Sequence, residues 1–174
     1  LRLVPGADTA TAVGDTLQLA ALVTDDRGAA LVGVAPAWTS ADPAVAVVDQ
    51  AGSVVSRGPG TTAVIVRVGK LEARARVTVA QHAVGLRPAD TLVRVAEGER
   101  VRAAAVAADA RGNAIVSAPL RWHTADAAVA AVDSLGEVTG VSPGRGAVTV
   151  SLGELRADVA VEVIPVPASV TLLG

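Results

Sequence analysis

The chain has 174 residues, 51% of them hydrophobic, yet it contains no Phe, Tyr, Met or Cys and only two Trp. A formal net charge of −2 supplies no basic field for a nucleic acid backbone, so no nucleic acid partner is expected. Without Cys there is no disulfide framework or thiolate metal site, and no apolar run reaches the roughly 18 residues of a membrane span.

In chain order, the short apolar start Leu1-Arg2-Leu3-Val4 leads to Gly14-Asp15 and a predicted strand over Thr16–Thr24. Asp25-Asp26-Arg27-Gly28 then has the composition of a turn. After the apolar residues Leu31, Val32 and Val34 comes Trp38, followed by the short strands Val45–Val48 and Ser53–Ser56 around the turn Asp49-Gln50-Ala51-Gly52. Pro59-Gly60 marks a reversal. Val64, Val66 and Val68 form the inward face of the next strand, and Gly69-Lys70 is a hairpin turn. Leu71, Ala73, Ala75, Val77 and Val79 then alternate with Glu72, Arg74, Arg76 and Thr78, the period-two pattern of a strand with one wet face.

From Gly98 the whole order recurs. Gly14–Val79 and Gly98–Val163 align without a gap, most densely at Trp38, Ala41, Asp42, Val45, Asp49 and Gly52 against Trp122, Ala125, Asp126, Val129, Asp133 and Gly136. A fixed period of this size is the mark of a repeat architecture. About seven short strands per copy, with turn signals every 8–12 residues, predict an all-β chain of two tandem β-sandwiches. The expected divisions are 1–81 and 82–165, with 166–174 as a Pro-containing linker and the first strand of a further repeat. The connection Ala80-Gln81-His82-Ala83 is too short for a flexible coil. A chain opening on Leu1 is expected to be a fragment or processed product of a longer protein.

The succession of a Gly-Asp/Glu opening, a long strand, Asp-x-x-Gly, Trp, Val-Ala-x-Val-Asp, Gly-x-Val, Pro-Gly and two alternating strands resembles the bacterial immunoglobulin-like domain of group 2. The first copy keeps Ser40-Ala41-Asp42-Pro43, where the second has Thr124-Ala125-Asp126-Ala127. The resemblance implies immunoglobulin-like sandwiches of the kind found in tandem in intimin- and invasin-like surface proteins. It therefore implies an exported, extracellular or cell-surface setting.

Candidate sites are few. Trp38 and Trp122 are expected in the core, because each copy has a single large ring and sandwiches bury one against the opposite sheet. Asp25/Asp109, Asp42/Asp126 and Asp49/Asp133 recur in register; calcium would need several of them to converge, whereas lone Asp in Asp-x-x-Gly turns cap their own backbone. His82 and His123 have no counterparts in the other copy, and Ser40 has no triad partners, so neither metal, cofactor nor catalytic residues are expected. Ala20, Leu22, Ala104 and Val106 are apolar where a solvent face is due, to be covered by a loop or the N-terminal strand, or used in side-by-side contact with another copy. Val170, Leu172 and Leu173 in the tail are candidates for strand addition to a neighbour.

These features predict a non-catalytic structural repeat of a stalk or fibre, whose partners are further Ig-like repeats or neighbouring copies. The alternative is an adhesin-type module recognising a host protein or glycan.

Overall fold

The computed structural model describes residues 1–31 and 33–166; the tail candidates Val170, Leu172 and Leu173, and also Val32, lie outside them. The described chain is strands and turns, and no helix in it is long and apolar enough to cross a membrane. It divides into two compact units. Unit 1 comprises Leu1–His82 together with the turn Asp109–Asn113; unit 2 comprises Ala83–Ala108 and the described residues from Ala114 onward.

Unit 1 contains β1 (Arg2–Val4), β2 (Ala7–Ala10), β3 (Thr16–Gln18), β4 (Ala20–Leu22), β5 (Ala37–Ser40), β6 (Ala46–Val48), β7 (Ser53–Ser56), β8 (Gly60–Val68) and β9 (Leu71–Val79). One sheet has the order β2-β9-β8-β5, another β3-β7-β6, and β1 pairs with β4. The alternating strands β8 and β9 form the predicted hairpin, with Val68 opposite Leu71 across Gly69-Lys70. Their inward faces place Val64, Val66, Ala75 and Val77 against Val54 of β7, Ala46 of β6, and Leu3 and Leu19, all of them buried. Two sheets closing on an all-aliphatic core in this way make a sandwich, and each buried Val contributes about 1.5–3 kcal/mol of transfer free energy.

Unit 2 repeats the plan with β10 (Gly85–Pro88), β11 (Leu92–Ala96), β12 (Arg100–Arg102), β13 (Ala105–Ala108), β14 (Arg121–Thr124), β15 (Ala130–Val132), β16 (Glu137–Gly140), β17 (Gly144–Leu152) and β18 (Leu155–Ile164). Its sheets run β11-β18-β17-β14 and β12-β16-β15, with β10 beside β13. The core is again nearly all Val: Val93, Val95, Val138, Val148, Val159, Val161 and Val163, with Ala103 and Ala130. In both units the first strand of the four-stranded sheet lies parallel to the last, β2 with β9 and β11 with β18.

The strand count exceeds the sequence reading because Ala7–Ala10 and Leu92–Ala96 form edge strands of their own and because the runs Thr16–Thr24 and Arg100–Ala108 are not single strands. Each changes partner midway. Thr16–Gln18 pairs with β7, the Leu19 N–H donates to the Gly52 carbonyl at 2.9 Å, and Ala20–Leu22 then pairs with β1. Ala103 makes the same bond to Gly136 at 2.8 Å. Nor does the N-terminal strand cover the apolar residues outside β4. It lies beside β4 in the same sheet, so Ala20 and Leu22 stay exposed, as do Ala104 and Val106 in unit 2.

Candidate functional site

The recurrent aspartates all serve their own turns. Asp25 Oδ1 accepts the N–H groups of Arg27 and Ala29, and Asp49 Oδ1 accepts those of Ala51 and Ser53. Asp109 and Asp133 do the same with Arg111 and Asn113 and with Leu135 and Glu137. Asp42 and Asp126 each cap the N–H two residues on, at Ala44 and Ala128. Each Asx turn satisfies donors that the tight backbone would otherwise leave open. Among the described residues no three His, Cys, Asp or Glu side chains converge as metal ligands would.

One of these turns does more. Within unit 1, Asp109 is 2% exposed, and its second oxygen accepts the Val13 N–H and Gln81 Nε2, both at 3.0 Å. Asn113 Nδ2 donates to the Val13 carbonyl at 2.8 Å, and Arg111 Nε donates to Asp15 Oδ1 at 2.8 Å. Asp15 meanwhile accepts the Thr11 and Ala12 N–H groups on its other oxygen. Burial raises the pKa of Asp109, but the bonds from Gln81, Val13 and Asn113 outweigh it and hold the carboxyl well below the usual range. The Arg111 hydrogen bond, with that of Ala12, lowers Asp15. Sequence reading passed over Val13, Gln81 and Asn113, because single polar residues in a connection or a turn carry no periodic signal. The one available clue was Asn113 standing where the first copy has Ala29.

The tryptophans lie at the core edge. Trp38 is half-buried against the Val64/Val66 cluster, and Trp122 is half-buried against the Val148/Val159 cluster. Trp38 Nε1 is buried without a hydrogen-bond partner among the described residues. Gly52 and Gly136 pass directly beneath these rings. A Cβ there would stand 2.9 Å from Trp38 Cζ2 and 2.8 Å from Trp122 Cε2. His82 and His123 are exposed, and Ser40 Oγ lies 3.5 Å from Thr62 Oγ1. On the outer face of the unit 1 sheet, Arg74, Arg76, Thr61 and Asp42 rim a shallow groove of about 660 Å³ whose lining includes Ala7 and Ala63. Ala7 and Ala63 flank Arg76 on the two neighbouring strands, and the groups of the groove make no nucleophile–base pair.

An all-β chain of several sheets is consistent with the Ig-like sandwich that the sequence resemblance implies. Residues 82–163 match the bacterial Ig-like domain (group 2). The matched segment takes in every strand from β10 to β17 and β18 up to Val163. Among solved structures, the chain is similar to the surface layer protein SbsC, domains 1–6, at 28% identity over 87% of this chain and 24% of that one, with a TM-score of 0.45. It is also similar to SbsC domains 4 and 5, at 29% identity over 86% and 82%, with a TM-score of 0.44. The adhesin InvE of Yersinia pseudotuberculosis matches at 14% identity over 93% of this chain and 57% of that one, with a TM-score of 0.52, a likeness of fold. The chain thus spans about a quarter of the first of these structures. It has no match among the curated proteins.

Proposed function

We propose that the chain is a non-catalytic structural repeat of an extracellular surface stalk or fibre, holding a fixed length between whatever lies at its two ends. The observation that carries this reading is the parallel pairing of the first and last strands of each four-stranded sheet. Ala7–Ala10 lies against Arg76–Val79, and Leu92–Ala96 against Ala160–Ile164. Tension applied at the two ends of a unit pulls such strands past one another lengthwise. All the ladder bonds are then loaded together, whereas an antiparallel terminal pair would open one bond at a time. Both copies keep this clamp, and both keep the hairpin register from Gly60↔Val79 to Val68↔Leu71 and from Gly144↔Val163 to Leu152↔Leu155. Duplicating a load-bearing unit adds length; duplicating a catalytic site in register adds little. The match to bacterial Ig-like domains supports the same role and an exported setting, with other Ig-like repeats as partners.

Electron microscopy of the purified native protein tests this. Thin rods or fibres built of beads at a regular spacing are expected, and a compact particle without such a spacing would overturn it.

A further inference from the structure

The bonds that hold Asp109–Asn113 in unit 1 depend on a local irregularity of the first copy. Ala10 stands opposite Val79 as Val95 stands opposite Val163, but three residues separate Ala10 from Gly14 and two separate Val95 from Gly98. The extra residue is taken up where the Ala10 and Thr11 carbonyls accept the Ala80 and His82 N–H groups in succession, at 2.9 and 2.8 Å, and the bow that follows leaves the Val13 N–H and carbonyl for Asp109 and Asn113. In unit 2 the edge stays straight, and the equivalent Glu97 N–H is spent on the Ile164 carbonyl at 3.0 Å.

The first copy carries the same kind of turn at Asp25–Ala29. Asp25 Oδ1 accepts from Arg27 and Ala29 at 2.9 and 2.8 Å, as Asp109 Oδ1 accepts from Arg111 and Asn113 at 3.0 and 2.9 Å. Arg27 stands where Arg111 stands, but it is exposed and has no carboxylate partner among the described residues. Asp25 Oδ2 likewise has no hydrogen-bond partner among them.

We propose that the Asp25–Ala29 turn is a docking surface for another Ig-like repeat whose edge is bowed like Thr11–Asp15. Asp25 Oδ2 takes the N–H freed by the bow, and Arg27 pairs with the acid at the Asp15 position. This rests on the structural-repeat reading and names the groups by which one repeat receives another. The straight edge of the second copy is a poor fit despite Glu99 at the Asp15 position, because its N–H is taken. Ala29 lacks the carboxamide of Asn113, so the contact is one hydrogen bond weaker than its model in unit 1.

The natural absence of Cys makes a thiol cross-linking test clean. The full chain is extended at its start by a second copy of residues 1–85, since Leu1 holds in its copy the place of Leu86. Thr11→Cys is placed in the added copy and Asp26→Cys in the copy that follows, and a short bis-maleimide is applied. Thr11→Cys with Ala110→Cys in the unextended chain is the reference pair. Both pairs should link, the test pair more slowly. Ala29→Asn should speed the test pair, and Arg27→Ala should slow it several-fold. The proposal is overturned if the test pair links no faster than Thr11→Cys with Lys70→Cys, or if Arg27→Ala and Ala29→Asn change nothing. Failure of the reference pair overturns it at its source. Rods seen by microscopy without the Thr11–Asp26 link would leave the stalk reading standing and defeat this docking alone.

Discussion

Gly52 and Trp38 constrain one another closely, and Gly136 and Trp122 repeat the arrangement. The backbone at Gly52 has φ +78°, and a Cβ would collide with the Leu19 carbonyl as well as the indole. The turn glycine is therefore fixed twice, by conformation and by contact. Gly52→Ala should cost about 2–3 kcal/mol from strain and displacement of the ring, read as a lower urea midpoint with an unchanged slope; a loss within experimental scatter would contradict the packing described. Trp38 makes its contribution through area, since its Nε1 finds no acceptor among the described residues. Trp38→Phe should cost under about 1.5 kcal/mol, and Trp38→Ala about 3 kcal/mol, because Val and Ala neighbours cannot close the cavity. Equal losses for both variants would show that the indole N–H matters more than the ring.

The hairpins β8–β9 and β17–β18 were legible in the sequence because strict alternation and a Gly-led two-residue turn leave little choice of register. The breaks at Leu19 and Ala103 were not. Both sit in continuous apolar runs, where the change of partner is dictated by the approach of Gly52 and Gly136 from elsewhere in the chain. The Asx turns were legible as turns, whereas the second role of Asp109 depends on the bow at Thr11–Val13, which no local pattern announces. At this scale acid is the informative probe. The folded pKa values of Asp109 and Asp15 are depressed, so their contribution is fully present above the ordinary carboxylate pKa of about 4 and is lost as pH falls through the lowered values. Asp109→Asn should therefore be less stable than the parent at pH 7, with the gap closing as pH approaches 2; a gap independent of pH would count against the cluster. Chelation gives a contrasting check. With one oxygen of every recurrent Asp spent on its own turn, EDTA should leave the melting temperature unchanged. A drop of several degrees reversed by Ca²⁺ would make these turns ligands.

For the molecule as a whole, the two units share registers, turns and core composition, and each closes its main sheet with a parallel pair of first and last strands. The repeat itself was plain from the sequence, since residue types recur at turns and inward positions together. The parallel clamp was hidden, because it joins segments about 70 residues apart whose pairing no short-range pattern encodes. It is also what the stalk reading depends on. Single-molecule stretching of the full chain from its two ends measures it directly. The account predicts two separate high-force ruptures, each releasing roughly 250 Å of chain as one unit of about 80 residues extends, with bonds sheared together instead of peeled. A single rupture, or smooth extension at low force, would contradict the claim that the chain is built to bear load.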